Sequence, residues 1–125
     1  MIKIKHILVV DDNKVNLVFT KQILHDYYNL TLVISGKQAL EFLSKKIPDI
    51  ILLDLLMPDM DGIETLKKIK ENENLKNIPV IFLSATYDTA VQQECLKLGA
   101  NDFVTKPFTA KEMIEHIENI LNCNN

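Results

Sequence analysis

The sequence predicts an α/β fold, a doubly wound parallel sheet with helices on both faces. Short apolar runs alternate with longer amphipathic stretches. The runs lack the polar alternation of half-exposed strands, so both of their faces are covered. Capping and turn residues stand at the junctions, and five such βα units fill the 125 residues.

The first run, Ile4–Val10, leads into Asp11-Asp12, and Asn13 is placed to cap a helix over about 14–27. Leu30–Ile34 is the second strand, after which Ser35-Gly36 opens a helix over about 36–45. Ile50–Leu53 is the third strand, ending directly in Asp54. The turn signal Pro58-Asp59-Met60-Asp61 then leads to Gly62 and a helix over about 62–72. Pro79–Leu83 is the fourth strand, and the helix after it, about 87–98, closes at Gly99 as its C′ residue. Asp102–Val104 is the fifth strand. The last helix, about 109–122, carries Met113, Ile114, Ile117, Ile120 and Leu121 as a one-faced stripe that docks it on the sheet.

Hydrophobic residues at 47% and charged residues at 25% describe a globular chain rather than a disordered one. Fourteen basic against seventeen acidic side chains, a net charge of −3, exclude a nucleic-acid or anionic-membrane surface, which needs clustered Lys and Arg. Cys95 and Cys123 are far apart and match no metal spacing, as in a reduced cytoplasmic protein. The stretch Ile50–Met57 is broken by Asp54 and falls short of the roughly 20 residues of a membrane span. Lys3 and Lys5 precede only the short run Ile7–Val10, which is no signal-peptide core. The expectation is one cytoplasmic domain over residues 1–125, with no output module and no nucleic-acid or membrane partner.

Open α/β sheets bind ligands beyond the carboxyl ends of their strands. Asp11 and Asp12 follow the first strand, Asp54 the third, Ser84 the fourth and Lys106-Pro107 the fifth. Singly, an aspartate there is a cap or turn former, a serine the same, and a lysine a solvated charge. Asp54 fits that description least, because a carboxylate behind four apolar residues is partly desolvated. Clustered carboxylates recruit a hard divalent cation such as Mg²⁺. A carboxylate can also attack phosphorus to give an acyl phosphate, while a lysine and a hydroxyl hold the phosphoryl oxygens. Asp54 as nucleophile, Asp11 and Asp12 as metal holders, and Lys106 and Ser84 as phosphoryl ligands form a coherent set.

The segments Val9-Val10-Asp11-Asp12-Asn13, Pro48 to Asp54, Met57 to Gly62, Leu83-Ser84-Ala85 and Gly99 to Phe108 resemble the receiver domains of two-component response regulators. They occur in the family's order and cover essentially the whole chain. The resemblance implies a flavodoxin-like fold with strand order 2-1-3-4-5. It implies that Asp54 is phosphorylated from the phosphohistidine of a histidine kinase or histidine phosphotransfer protein. Mg²⁺ would be held by Asp12, Asp54 and the backbone carbonyl of Leu56, with Asp11 helping through water. Lys106 would pair with phosphorylated Asp54, and Lys106-Pro107 would be cis. Ser84 would move toward the new oxygens, and Phe103 would rotate into the vacated space. The readout would be a changed surface on the fourth helix, fifth strand and fifth helix, where a downstream protein binds. The molecule would be a monomer or a phosphorylation-dependent dimer.

Two features of this chain refine the resemblance. Leu56 and Thr86 flank the path of an attacking water, and leucine cannot orient it, so self-dephosphorylation is expected to be slow. Asp12-Asn13-Lys14-Val15-Asn16 is similar to receivers of hybrid kinases and phosphorelays, in which Asn13, Asn16 and Phe19 would meet the partner. His6, His25 and His116, placed in the first strand and in helices, stand apart from the acidic edge.

The rival readings fit less well. An aspartate-nucleophile phosphatase needs two aspartates separated by one residue, and Asp11 and Asp12 are adjacent. A flavodoxin needs a Ser/Thr/Gly-rich phosphate loop where Asp-Asp-Asn-Lys stands. A pseudo-receiver, an interaction module without phosphorylation, would have no use for the intact acidic set.

Overall fold

The computed structural model describes residues 4–123. Strands and helices alternate as β1 (His6–Val10), α1 (Lys14–Leu24), β2 (Asn29–Val33), α2 (Gly36–Leu43), β3 (Ile50–Asp54), α3 (Gly62–Glu71), β4 (Val80–Ser84), α4 (Thr89–Lys97), β5 (Asp102–Thr105) and α5 (Ala110–Cys123). The sheet is parallel in the order β2-β1-β3-β4-β5, the flavodoxin-like arrangement expected. Its register places Val10 opposite both Val33 and Leu53, and Ser84 opposite Thr105, so the carboxyl ends of the strands reach one edge together.

Alternate residues of each strand enter different cores. Leu8, Val10, Ile51, Leu53, Val80 and Phe82 pack with Ala39 and Leu43 of α2, Leu66 and Ile69 of α3 and Cys95 of α4. Ile7, Val9, Ile50, Leu52, Ile81 and Leu83 pack with Leu17 and Leu24 of α1 and with Met113 and Ile117 of α5. Burial on both faces is why β3 and β4 lack polar alternation. Cys95 is a buried free thiol, and the side chain of Cys123 lies outside the described ones.

Local chemistry sets the boundaries. Asn13 Oδ1 accepts the amides of Val15 and Asn16, Ser35 Oγ that of Gln38, and Asp61 Oδ1 that of Glu64, capping α1, α2 and α3. Thr109 and Glu112 exchange side-chain-to-amide bonds in a capping box ahead of α5. At Gly99 the φ of 112° is one that only glycine adopts without strain.

Several sequence-based limits move. The first strand begins at His6 rather than Ile4, and β3, β4 and β5 each extend one residue further, to Asp54, Ser84 and Thr105. The first helix ends at Leu24, three residues before position 27, because Tyr28 turns into the core and its hydroxyl donates to Glu118 at 2.7 Å. His25 therefore caps α1 rather than lying within it. Asp88 caps α4, which delays its start to Thr89. Among the described residues no helix is long and apolar enough to cross a membrane.

Candidate functional site

The carboxyl edge of the sheet gathers the charged groups. β1 delivers Asp11 and Asp12, and β3 delivers Asp54 as its last residue. One carboxylate oxygen from each of the three lies within 4.8 Å of the others. Asp11 and Asp54 are buried and Asp12 is exposed, so the cluster opens to solvent on one side.

Lys106, just beyond β5, completes the cluster. Its Nζ lies 3.0 Å from Asp11 Oδ2 and 3.4 Å from Asp54 Oδ1. Asp11 is held on its other oxygen as well, because Oδ1 accepts the Asn13 amide at 2.9 Å. The Lys106 amide donates to Ser84 O at 2.8 Å, which fixes the lysine's backbone to the end of β4. The Lys106-Pro107 bond is cis, as the resemblance implied.

Burial pushes the Asp54 carboxyl up to about 6. The Lys106 ammonium pulls it down, and the negative charges of Asp11 and Asp12 add to the rise. Gly62 sets the floor of the site. Its amide donates to Leu55 O at 2.8 Å, which holds the start of α3 against the residue after Asp54.

Ser84 is buried at the end of β4, and its Oγ accepts the Thr86 amide at 3.3 Å, a long bond that is easily given up. Phe103 is partly buried on β5 with its ring centroid 6.4 Å from that of Phe82. The Leu56 side chain is 72% exposed at the mouth. The histidines stand elsewhere, as expected. His6 Nε2 meets Thr31 Oγ1 at 2.8 Å, and His116 Nδ1 pairs with Asp102.

The sequence profile described as the response regulator receiver domain matches residues 7–118. The chain belongs to that family. A receiver domain is a signalling domain, and the phosphoacceptor role of its family stands against the interaction-only reading. The receiver is 44% identical over 101 residues to a probable cyclic di-GMP phosphodiesterase of Vibrio cholerae serotype O1, covering 81% of this chain. It spans only 23% of that relative's length. Its backbone matches a protein of Chloroflexus aurantiacus J-10-fl assigned as a response regulator, with a TM-score of 0.91 and 30% identity over 96% of this chain and 99% of that one. It also matches the receiver domain of a sensor histidine kinase of Pseudomonas aeruginosa PAO1, with a TM-score of 0.88 and 31% identity over 96% and 99%. That structure has a magnesium ion coordinated in the active-site cleft.

Sequence reasoning named the receiver's cluster but not the division of Lys106 between two carboxylates.

Proposed function

We propose that residues 1–125 form a single cytoplasmic receiver domain in which Asp54 takes a phosphoryl group from the phosphohistidine of a histidine kinase or histidine phosphotransfer protein. The observation that carries this reading is the Lys106 ammonium, held between Asp11 and Asp54 where the Asp12 carboxylate converges.

The donor set fits Mg²⁺. Three carboxylate oxygens within 4.8 Å of one another suit a hard cation, and burial first, with the charges of Asp11 and Asp12 adding to it, makes the Asp54 carboxylate one that a cation would stabilise. Asp11, Asp12, Asp54 and the Leu56 carbonyl would hold it, and when bound it would offset charge on the phosphoryl oxygens.

Asp54 attacks phosphorus, the donor's P–N bond breaks, and an acyl phosphate forms. Lys106 lies within reach of a phosphoryl oxygen on Asp54, and Ser84 gives up its weak contact with the Thr86 amide to donate to another. Phe103 follows into the space Ser84 leaves, which alters the α4-β5-α5 surface for a downstream protein or for a phosphorylation-dependent dimer. Hydrolysis is slow, because Leu56 offers water no hydrogen bond and Thr86 Oγ1 already accepts the Asp88 amide at 3.1 Å. Val15, Val18 and Phe19 are exposed on α1 next to Asn13 and Asn16, an apolar surface for the partner's helices.

The test is intact mass after incubation with Mg²⁺ and a small-molecule phosphodonor. One added phosphoryl group that needs both Mg²⁺ and Asp54, and is absent from Asp54→Asn, is expected. No adduct, under conditions that label a known receiver, would return the chain to the interaction-only reading.

A further inference from the structure

His6 opens β1 at the amino end of the sheet, opposite the acidic edge. Its ring meets Phe42 of α2 edge-on, with centroids 5.7 Å apart and planes at 81°. Nε2 bonds to Thr31 Oγ1 of β2 at 2.8 Å. Nδ1 is buried without a hydrogen-bond partner, alone in this among the side-chain nitrogens and oxygens of the described residues.

This arrangement suits the neutral ring and penalises the charged one. Neutral imidazole has one N–H and one bare nitrogen, whereas imidazolium has two N–H donors. Thr31 Oγ1 can accept one of them, and the Nδ1–H finds no acceptor. A buried donor without an acceptor is costly, and more so on a cation. The surrounding charges point the same way. Burial holds His6 below the usual histidine value, the Lys46 ammonium after α2 adds to this, and Asp49 before β3 works against it. The Asp49 carboxylate is already engaged, since its Oδ2 accepts the His6 backbone amide at 2.7 Å. The contacts from β2 and α2, Thr31 and Phe42, are neutral.

The strand that His6 holds lies at one edge of the sheet, with β1 as its neighbour. The Asn29 amide ties its amino end to Lys5 O at 2.9 Å. Its carboxyl end accepts the Asp11 amide on Val33 O at 3.1 Å. β2 therefore links the His6 ring to the backbone of one of the clustered carboxylates.

We propose that His6 is an acid-sensitive latch on the β2–α2 edge: a proton taken up by its ring unseats the Thr31 and Phe42 contacts and loosens β2 along its length, as far as the Asp11 amide. In the opened edge the ring regains its ordinary affinity for protons, so opening takes up a proton and is favoured as pH falls below about 6.5.

The experiment is amide hydrogen exchange between pH 7.5 and 5, corrected for the intrinsic pH dependence of exchange and run without phosphodonor, so that its outcome is independent of Asp54 as acceptor. In the wild type, opening at the Asn29 and Asp11 amides is expected to rise by up to about tenfold per pH unit below 6.5, the most that one proton can drive. His6→Phe, which cannot titrate, is expected to abolish the rise. Asp54 is common to both proteins, so its own titration cancels from the comparison. If His6→Phe does not fold, His6→Gln gives the same comparison, because an amide also bonds to Thr31 and carries no charge. The same rise in a folded variant overturns the latch. So does an equal rise at the Leu55 amide, which bonds to Leu83 O in the middle of the sheet and would report opening of the whole fold. A His6 ring that titrates at or above 6.5 by NMR overturns it as well.

Discussion

Gly62 stands so close to Asp54 that a β-carbon on it would lie 2.4 Å from the Asp54 carbonyl oxygen and 2.9 Å from Leu55 Cα. Both obstacles are backbone, so neither can rotate away. The first turn of α3 and the end of β3 therefore depend on one missing methyl group. Gly62→Ala is expected to cost about 1–3 kcal/mol, in the range of other overpacked sites. Urea denaturation checks this, and a midpoint equal to wild type would show that the contact relaxes freely.

Asp54 makes the fold pH-sensitive in a definite direction. Its carboxyl is raised from 3.8 to about 6 in the folded protein, so the folded state holds a proton that the unfolded chain has lost. Stability then falls as pH rises through that window and is constant above it. Asp54→Asn removes the penalty and is expected to stabilise the metal-free protein by about 1–3 kcal/mol at neutral pH. The gain disappears near pH 4, at the unfolded value. Denaturation midpoints measured in chelator across this range test both sign and window.

Lys106 has the opposite effect. Its ammonium lies against Asp11 and Asp54, and replacement by methionine leaves both carboxylates without it. A loss of about 1.5–3 kcal/mol at neutral pH is expected, the usual worth of hydrogen bonds to charged groups. Lys106→Met should cost less in the Asp54→Asn background than in the wild type, and equal costs in the two backgrounds would mean that the groups do not interact.

Mg²⁺ bound only by the folded receiver raises its apparent stability by mass action. At ten times the dissociation constant the gain is about 1.4 kcal/mol. Melting curves with and without the ion should show it in the wild type and lose it in Asp12→Asn.

Tyr28 and Glu118 join the start of β2 to α5 through a 2.7 Å hydrogen bond that spans 90 positions of sequence. Tyr28→Phe keeps the ring in the core and removes the donor, at an expected cost of about 0.5–1.5 kcal/mol. Hydrogen exchange at the end of α5 should speed up in step.

The sheet was legible because its strands are buried on both faces, so Ile50-Ile51-Leu52-Leu53 reads as a continuous apolar run. The site was legible because such sheets gather ligands at one edge, where Asp11, Asp12, Asp54 and Lys106 all fell. What stayed hidden depends on rotamers and on distant partners. Helical periodicity runs on through Tyr27-Tyr28, and only Glu118 on the far side of the sequence explains why the chain leaves the helix at Leu24.

The ion pair between Asp11 and Lys106 spans 95 positions, and the lysine follows the last strand of the sequence. A nascent chain therefore emerges from the ribosome with its acidic cluster uncompensated, and gains the countercharge only when β5 docks. Until then Asp11 and Asp54 lack the ammonium that lies between them in the finished fold.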